Sequence, residues 1–201
     1  MSKGRMEAFS DGVLAIVITI MVLKLNAPES LTLDAVKEVF PTFLAYILSF
    51  IYVGIYWANH HHLINMTDSV SGRLLWKNLH WIFWMSLIPM ATEWMGLNPY
   101  ESLPALFYGM ILFMCAVSYN IVQSEVIKIN GDNSEISQNI GNDLKGKISI
   151  FAYAVAIIFA FYFPIISYLI YIVIALIWVV PDSRLEKKHD EKGVNINGKE
   201  L

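Results

Sequence analysis

Apolar residues come in long blocks along this chain, and polar residues gather between the blocks. Crossing a bilayer core as a helix takes about 20 mostly apolar residues. Six segments meet or approach that length: 7–25, 39–59, 74–96, 103–123, 148–163 and 165–180. Pro41 falls near the first turn of the second segment, and Pro89 interrupts the third. Pro164 separates the last two into a tight helical hairpin, because proline lacks a backbone N–H and disfavours helix in the residue before it. Residues 126–147 are polar and rich in Asn, Gly and Ser, which reads as a solvent-facing linker. The pattern predicts an all-α integral membrane protein with a six-helix domain over 1–181 and a charged, disordered tail over 182–201.

Composition agrees. Only 15% of the 201 residues are charged and 56% are hydrophobic, against about 25% charged in soluble domains. The placement of charge says more than the net value of -3. With six crossings and the N-terminus inside, twelve of the fourteen Lys and Arg fall on the cytoplasmic side. Only Lys24 and Lys37 fall outside, a strong positive-inside bias that puts both termini in the cytoplasm. The first segment imitates a secretory signal peptide, but "KLNAPES" follows it in place of a small-residue cleavage site, so it reads as an uncleaved helix. The single cysteine, Cys115, lies between Met114 and Ala116 and reads as a small apolar helix residue.

The polar exceptions inside the first segment carry the chemical interest. Arg5 and Asp11 are six residues apart, which places them about 120° from each other around a helix. They do not satisfy one another, so each calls for a partner on another helix, since charges at membrane depth pair. The alternative is that Ser10 and Asp11 simply lead the helix at the headgroup level, where an acidic residue suits the macrodipole. Gly12, Ile16, Thr19 and Leu23 share one narrow face by their spacings of 4, 3 and 4. Periodicity alone favours ordinary helix packing for that face over pore lining. His60, His61 and His62 do not make a metal site, because consecutive helical residues point about 100° apart. One or two of them are expected to face the bundle, with Asn78 and His80 as candidate partners.

Absent patterns narrow the function. There is no Walker A loop, no G-x-S-x-G, no TVGYG-like filter and no basic stripe interleaved with aromatics for nucleic acid. No paired carboxylates or nucleophile–base set points to an enzyme. No midspan carboxylate suggests proton-coupled transport.

Arg5-x-x-x-Phe9-Ser10-Asp11 resembles the R-x-x-x-F-S-D signature of the transmembrane protein 175 family, potassium-permeable channels of lysosomes and prokaryotes. Trp57 with its neighbouring histidines, and "NLHWIFWMSLIPMAT" with Asn78 and Pro89, extend the likeness. The resemblance implies a homotetramer with no re-entrant pore loop, in which the first helix lines a central pore in the plasma membrane. It implies that Ile16 forms the narrowest ring, with Thr19 and then Leu23 outward of it. It implies that Arg5, Ser10 and Asp11 tie the first helix to Trp57, His60, His61 and Asn78. Potassium and other monovalent cations are the implied permeants, with modest selectivity and no cofactor. Lys24, near the outer mouth, is expected to turn away from the axis toward the headgroups. The competing reading is a transporter or scaffold in which the polar cluster only packs helices.

Overall fold

A computed structural model describes residues 2–67, 69–131 and 143–179. Among them seven α-helices follow in chain order: α1 Lys3–Leu23, α2 Leu33–Asn65, α3 Gly72–Ser86, α4 Ile88–Leu97, α5 Ser102–Asn130, α6 Leu144–Ala160 and α7 Pro164–Val179. The charged tail expected over 182–201 and most of the linker expected over 126–147 lie outside the described residues.

Several boundaries differ from the sequence reading. The second helix starts well before residue 39, because the Thr32 side chain accepts from Ala35 N–H and Asp34 adds an acid to the first turn. Pro41 therefore sits inside α2 rather than at its first turn. The same helix runs on past Asn59 and carries all three histidines. The third segment is two helices. Leu87 ends α3 and opens α4, and Pro89 occupies the first turn of α4, where a missing N–H costs nothing. Both ends of the expected linker are helical, since α5 runs to Asn130 and Asp143 caps α6 by accepting from Gly146 N–H at 2.9 Å.

Among the described residues three helices, α1, α2 and α5, are long and apolar enough to cross a membrane, and α7 is a shorter apolar helix. In lipid the hydrocarbon tails are as apolar as leucine, so burying aliphatic surface drives little, and close packing with hydrogen bonds must hold the bundle. Two glycines permit such packing. A Cβ on Gly96 would stand 2.7 Å from the Thr42 Cα, so α4 lies directly against α2. A Cβ on Gly109 would strike the Tyr171 hydroxyl, where α7 crosses α5. Hydroxyl bonds then link the helices. Thr92 of α4 donates to Ser49 of α2 at 2.7 Å, and Ser49 bonds Tyr108 of α5 at 2.9 Å. Ser167 of α7 donates to the Ala156 carbonyl of α6 at 2.7 Å, and Trp178 donates to Ser149 at 2.8 Å. α5 packs between α3 and α6, and α1 packs on α2, α3 and α4 from one side.

Candidate functional site

That one-sided packing divides α1. Met6, Ser10, Leu14, Val17 and Met21 are buried, at spacings of 4, 4, 3 and 4 that define one face. The opposite stripe is Phe9, Gly12, Ile16, Thr19 and Leu23, and every member is exposed. Ile16 is 58% and Leu23 is 74% exposed, against 2% for Leu14. From Phe9 onward the stripe carries no charge, and Arg5 stands at its base. Nothing lies within 4 Å of a Cβ built on Gly12. The Thr19 hydroxyl donates to the Ala15 carbonyl of its own helix at 2.9 Å. Its proton is committed to the backbone, and its lone pairs remain available to a ligand outside the helix.

The buried face is anchored by a chain of polar bonds. His60 Nε2 donates to Asn78 Oδ1 at 2.8 Å, Asn78 Nδ2 donates to Ser10 Oγ at 2.9 Å, and Ser10 donates to the Met6 carbonyl at 2.9 Å. His60, Asn78 and Ser10 are at most 1% exposed, so each bond replaces water that is not there. The His60 ring stacks on Trp81 with centroids 4.5 Å apart, which fixes its plane. Asparagine at 78 is the residue type that can both accept from α2 and donate to α1.

A second set lies where α1 meets α2. Trp57 Nε1 donates to Asp11 Oδ1 at 3.1 Å. His61 Nδ1 lies 2.7 Å from Glu7 Oε1, and its Nε2 meets Asn65 Nδ2 at 2.9 Å. With Asn65 donating to Nε2, the ring proton sits on Nδ1 and points at Glu7. Lys3 donates to the Asn65 carbonyl at 2.8 Å, and Lys77 of α3 reaches Glu125 of α5 at 2.5 Å.

The structure thus brings Ser10, Asp11, Trp57, His60, His61 and Asn78 into contact across three helices. It leaves Arg5 and Phe9 outside, both exposed, and Arg5 has no hydrogen bond or ion pair among the described residues. His80 bonds Trp84 within α3 rather than a histidine of α2. Glu7 was not singled out from the sequence. Its signal was a matched spacing: Glu7 and Asp11 are four apart on α1, and Trp57 and His61 are four apart on α2. At the other end of α1, Lys24 pairs with Glu93 of α4 at 3.2 Å, which gives it a protein partner in place of the headgroups. No group of three or more His, Cys, Asp or Glu among the described residues is placed to hold a metal.

Residues 5–89, the span containing every member of this network except Lys3 and Glu125, match the family model of the endosomal/lysosomal potassium channel TMEM175. The chain is also 49% identical over 191 residues to a potassium channel of Chryseobacterium sp. (strain P1-3), covering 95% of this chain and 100% of that one. The chain belongs to the TMEM175 family. A potassium channel of Streptomyces collinus is 30% identical over 125 residues, 58% of this chain and 61% of its own. The TMEM175 endosomal/lysosomal proton channel of Gallus gallus is 32% identical over 105 residues, 46% of this chain and 21% of its own. The fold matches the crystal structure of a lysosomal potassium-selective channel TMEM175 homolog from Chamaesiphon minutus with a TM-score of 0.79 at 22% identity. That match covers 90% of this chain and 97% of the other. These TMEM175 relatives are named as ion channels, not as enzymes, and the chain is a multi-pass membrane protein.

Proposed function

We propose that this protein is a potassium-permeable channel, a homotetramer whose four α1 helices line a central pore in the plasma membrane. The observation that supports this reading best is the open stripe of α1, uncharged from Phe9 to Leu23 and covered by no other helix among the described residues. Four copies around an axis give Ile16 a ring of aliphatic side chains. A ring of this kind excludes ions by dewetting when narrow and passes them when wide enough to hold water. The outward lone pairs of Thr19 replace part of a cation's hydration shell one turn further out, and Leu23 bounds the outer mouth. Hydroxyl coordination is less complete than a carbonyl cage, so selectivity for potassium over sodium is modest. Six membrane crossings, with the α3–α4 pair as the broken third, put both termini and the end of α1 bearing Glu7 and Asp11 in the cytoplasm. There the bonds to Trp57, His60, His61 and Asn78 hold each α1 upright from one side. No cofactor takes part.

The test is potassium efflux from liposomes holding purified wild type or Ile16→Asn. The expected result is passive flux that the substitution raises. Equal flux from a folded Ile16→Asn would contradict the assignment.

A further inference from the structure

At the end of the bundle away from Glu7 and Asp11, the C-terminal end of α1, the first turns of α2 and the end of α4 line a cavity of about 380 Å³. That size falls within the range of small-molecule sites, about 300–1,000 Å³. The 21 residues of α1 rise about 31 Å, close to the thickness of a hydrocarbon core. Lys24, which caps α1, and the cavity beside it therefore stand at headgroup level. The lining has two parts. Val36, Val39, Phe40, Phe43 and Leu97 make an apolar wall, and Lys24, Glu38 and Glu93 carry the charge.

Lys24 pairs with Glu93 at 3.2 Å. An ammonium has three donors, so Lys24 keeps N–H groups for a second acceptor. Glu38 stands alone. The adjacent Lys37 is taken by Asp34 at 2.8 Å, and Glu38 makes no hydrogen bond or ion pair among the described residues. One cation against two carboxylates leaves the lining one negative charge in excess. An occupant that uses the whole lining brings a cation to Glu38, an anionic oxygen to Lys24 and hydrocarbon to the wall. A metal ion leaves the wall unused, and two carboxylates supply too few oxygens for one. An anionic lipid suits Lys24 and the wall, but Glu38 repels it. A zwitterionic phospholipid with a primary amine answers all three. Its phosphate shares Lys24 with Glu93, its ammonium donates charge-assisted hydrogen bonds to Glu38, and its chains lie along the wall. A choline headgroup has the charge but no N–H to donate.

We propose that this cavity binds a phospholipid with an ethanolamine headgroup. The site rests on the chain being a multi-pass membrane protein and not on the channel reading. Its test is native mass spectrometry of the full-length protein in detergent, titrated with phosphatidylethanolamine, phosphatidylcholine or phosphatidylglycerol of the same acyl chains. Wild type is compared with Glu38→Gln and with Glu101→Gln, an exposed carboxylate outside the cavity. The expected result is that wild type and Glu101→Gln bind phosphatidylethanolamine roughly tenfold more tightly than the other two lipids, and that Glu38→Gln loses this preference. The same spectra count protein copies. Equal binding of the three lipids by wild type, a preference that survives Glu38→Gln, or an equal loss in Glu101→Gln would overturn the proposal. So would a smaller oligomer in Glu38→Gln, which would put a second copy of the chain over the cavity.

Discussion

The two faces of α1 are built from similar residues and do opposite things. One carries Met6, Ser10, Leu14, Val17 and Met21, and the other Phe9, Gly12, Ile16, Thr19 and Leu23. Each is mostly apolar with a single hydroxyl. On the first face the hydroxyl of Ser10 is a junction, receiving Asn78 and passing its own proton to the Met6 carbonyl. On the second, Thr19 turns its proton into its own helix and makes no other hydrogen bond among the described residues. Hydropathy does not distinguish these faces. Where the polar partners sit on α2 and α3 does.

The sharpest way to break the comparison is to put one substitution on both faces. Asparagine at Leu14, which is 2% exposed, buries an amide without a partner and costs roughly 2–3 kcal/mol, read as a lower Tm or loss of the folded protein. Asparagine at Ile16 leaves stability within about 0.5 kcal/mol of wild type, as at an open site, and raises flux. Equal damage from the two would mean that the faces are not distinct.

Next in size is the junction itself. Asn78→Leu removes the acceptor of His60 and the donor to Ser10 together. Hydrogen bonds between helices in membranes are worth about 0.6–1.7 kcal/mol each, so a loss of roughly 1–3 kcal/mol is expected. Asn78→Asp keeps the acceptor and loses the donor, and should fall between Asn78→Leu and wild type in thermal melting. The Trp57–Asp11 bond is more exposed, and Trp57→Phe should cost about 0.5–1 kcal/mol while leaving the His60–Asn78–Ser10 chain intact. The smallest effect belongs to the far end of the helix. Lys24 and Glu93 are 49% and 32% exposed, and Lys24→Gln should lower stability by no more than about 0.5 kcal/mol, less in high salt.

These contrasts also mark what the sequence could carry. The stripe of Gly12, Ile16, Thr19 and Leu23 was legible because helical periodicity is local, and the first helix has no proline or cap to shift its frame. The resemblance implied Trp57, His60, His61 and Asn78 as a set of partners, without assigning any one of them to Ser10 or to Asp11. Which histidine meets Asn78 depends on the rotation of α2 against α3. The break at Leu87 could be placed near Pro89 but not resolved into two helices, since a proline in a first turn and one in a kink look alike in sequence. Glu7 was hidden for another reason. Near a membrane boundary an acidic residue needs no partner, so only the facing pair of spacings, 7 and 11 against 57 and 61, betrays it. Arg5 shows where the described residues stop answering the sequence. Its charge calls for a partner, and no described residue of its own chain supplies one.

The central claim is that the open face of α1 meets permeating ions. The native Cys115 is buried, so a thiol introduced on α1 stands out against a silent background. The direct measurement is potassium flux through Ile16→Cys before and after a cationic thiol reagent, with Leu14→Cys as the anchored-face control and mass spectrometry to count adducts. The account predicts that modification at position 16 blocks flux, while position 14 stays unmodified. Full modification at position 16 with flux unchanged would contradict it.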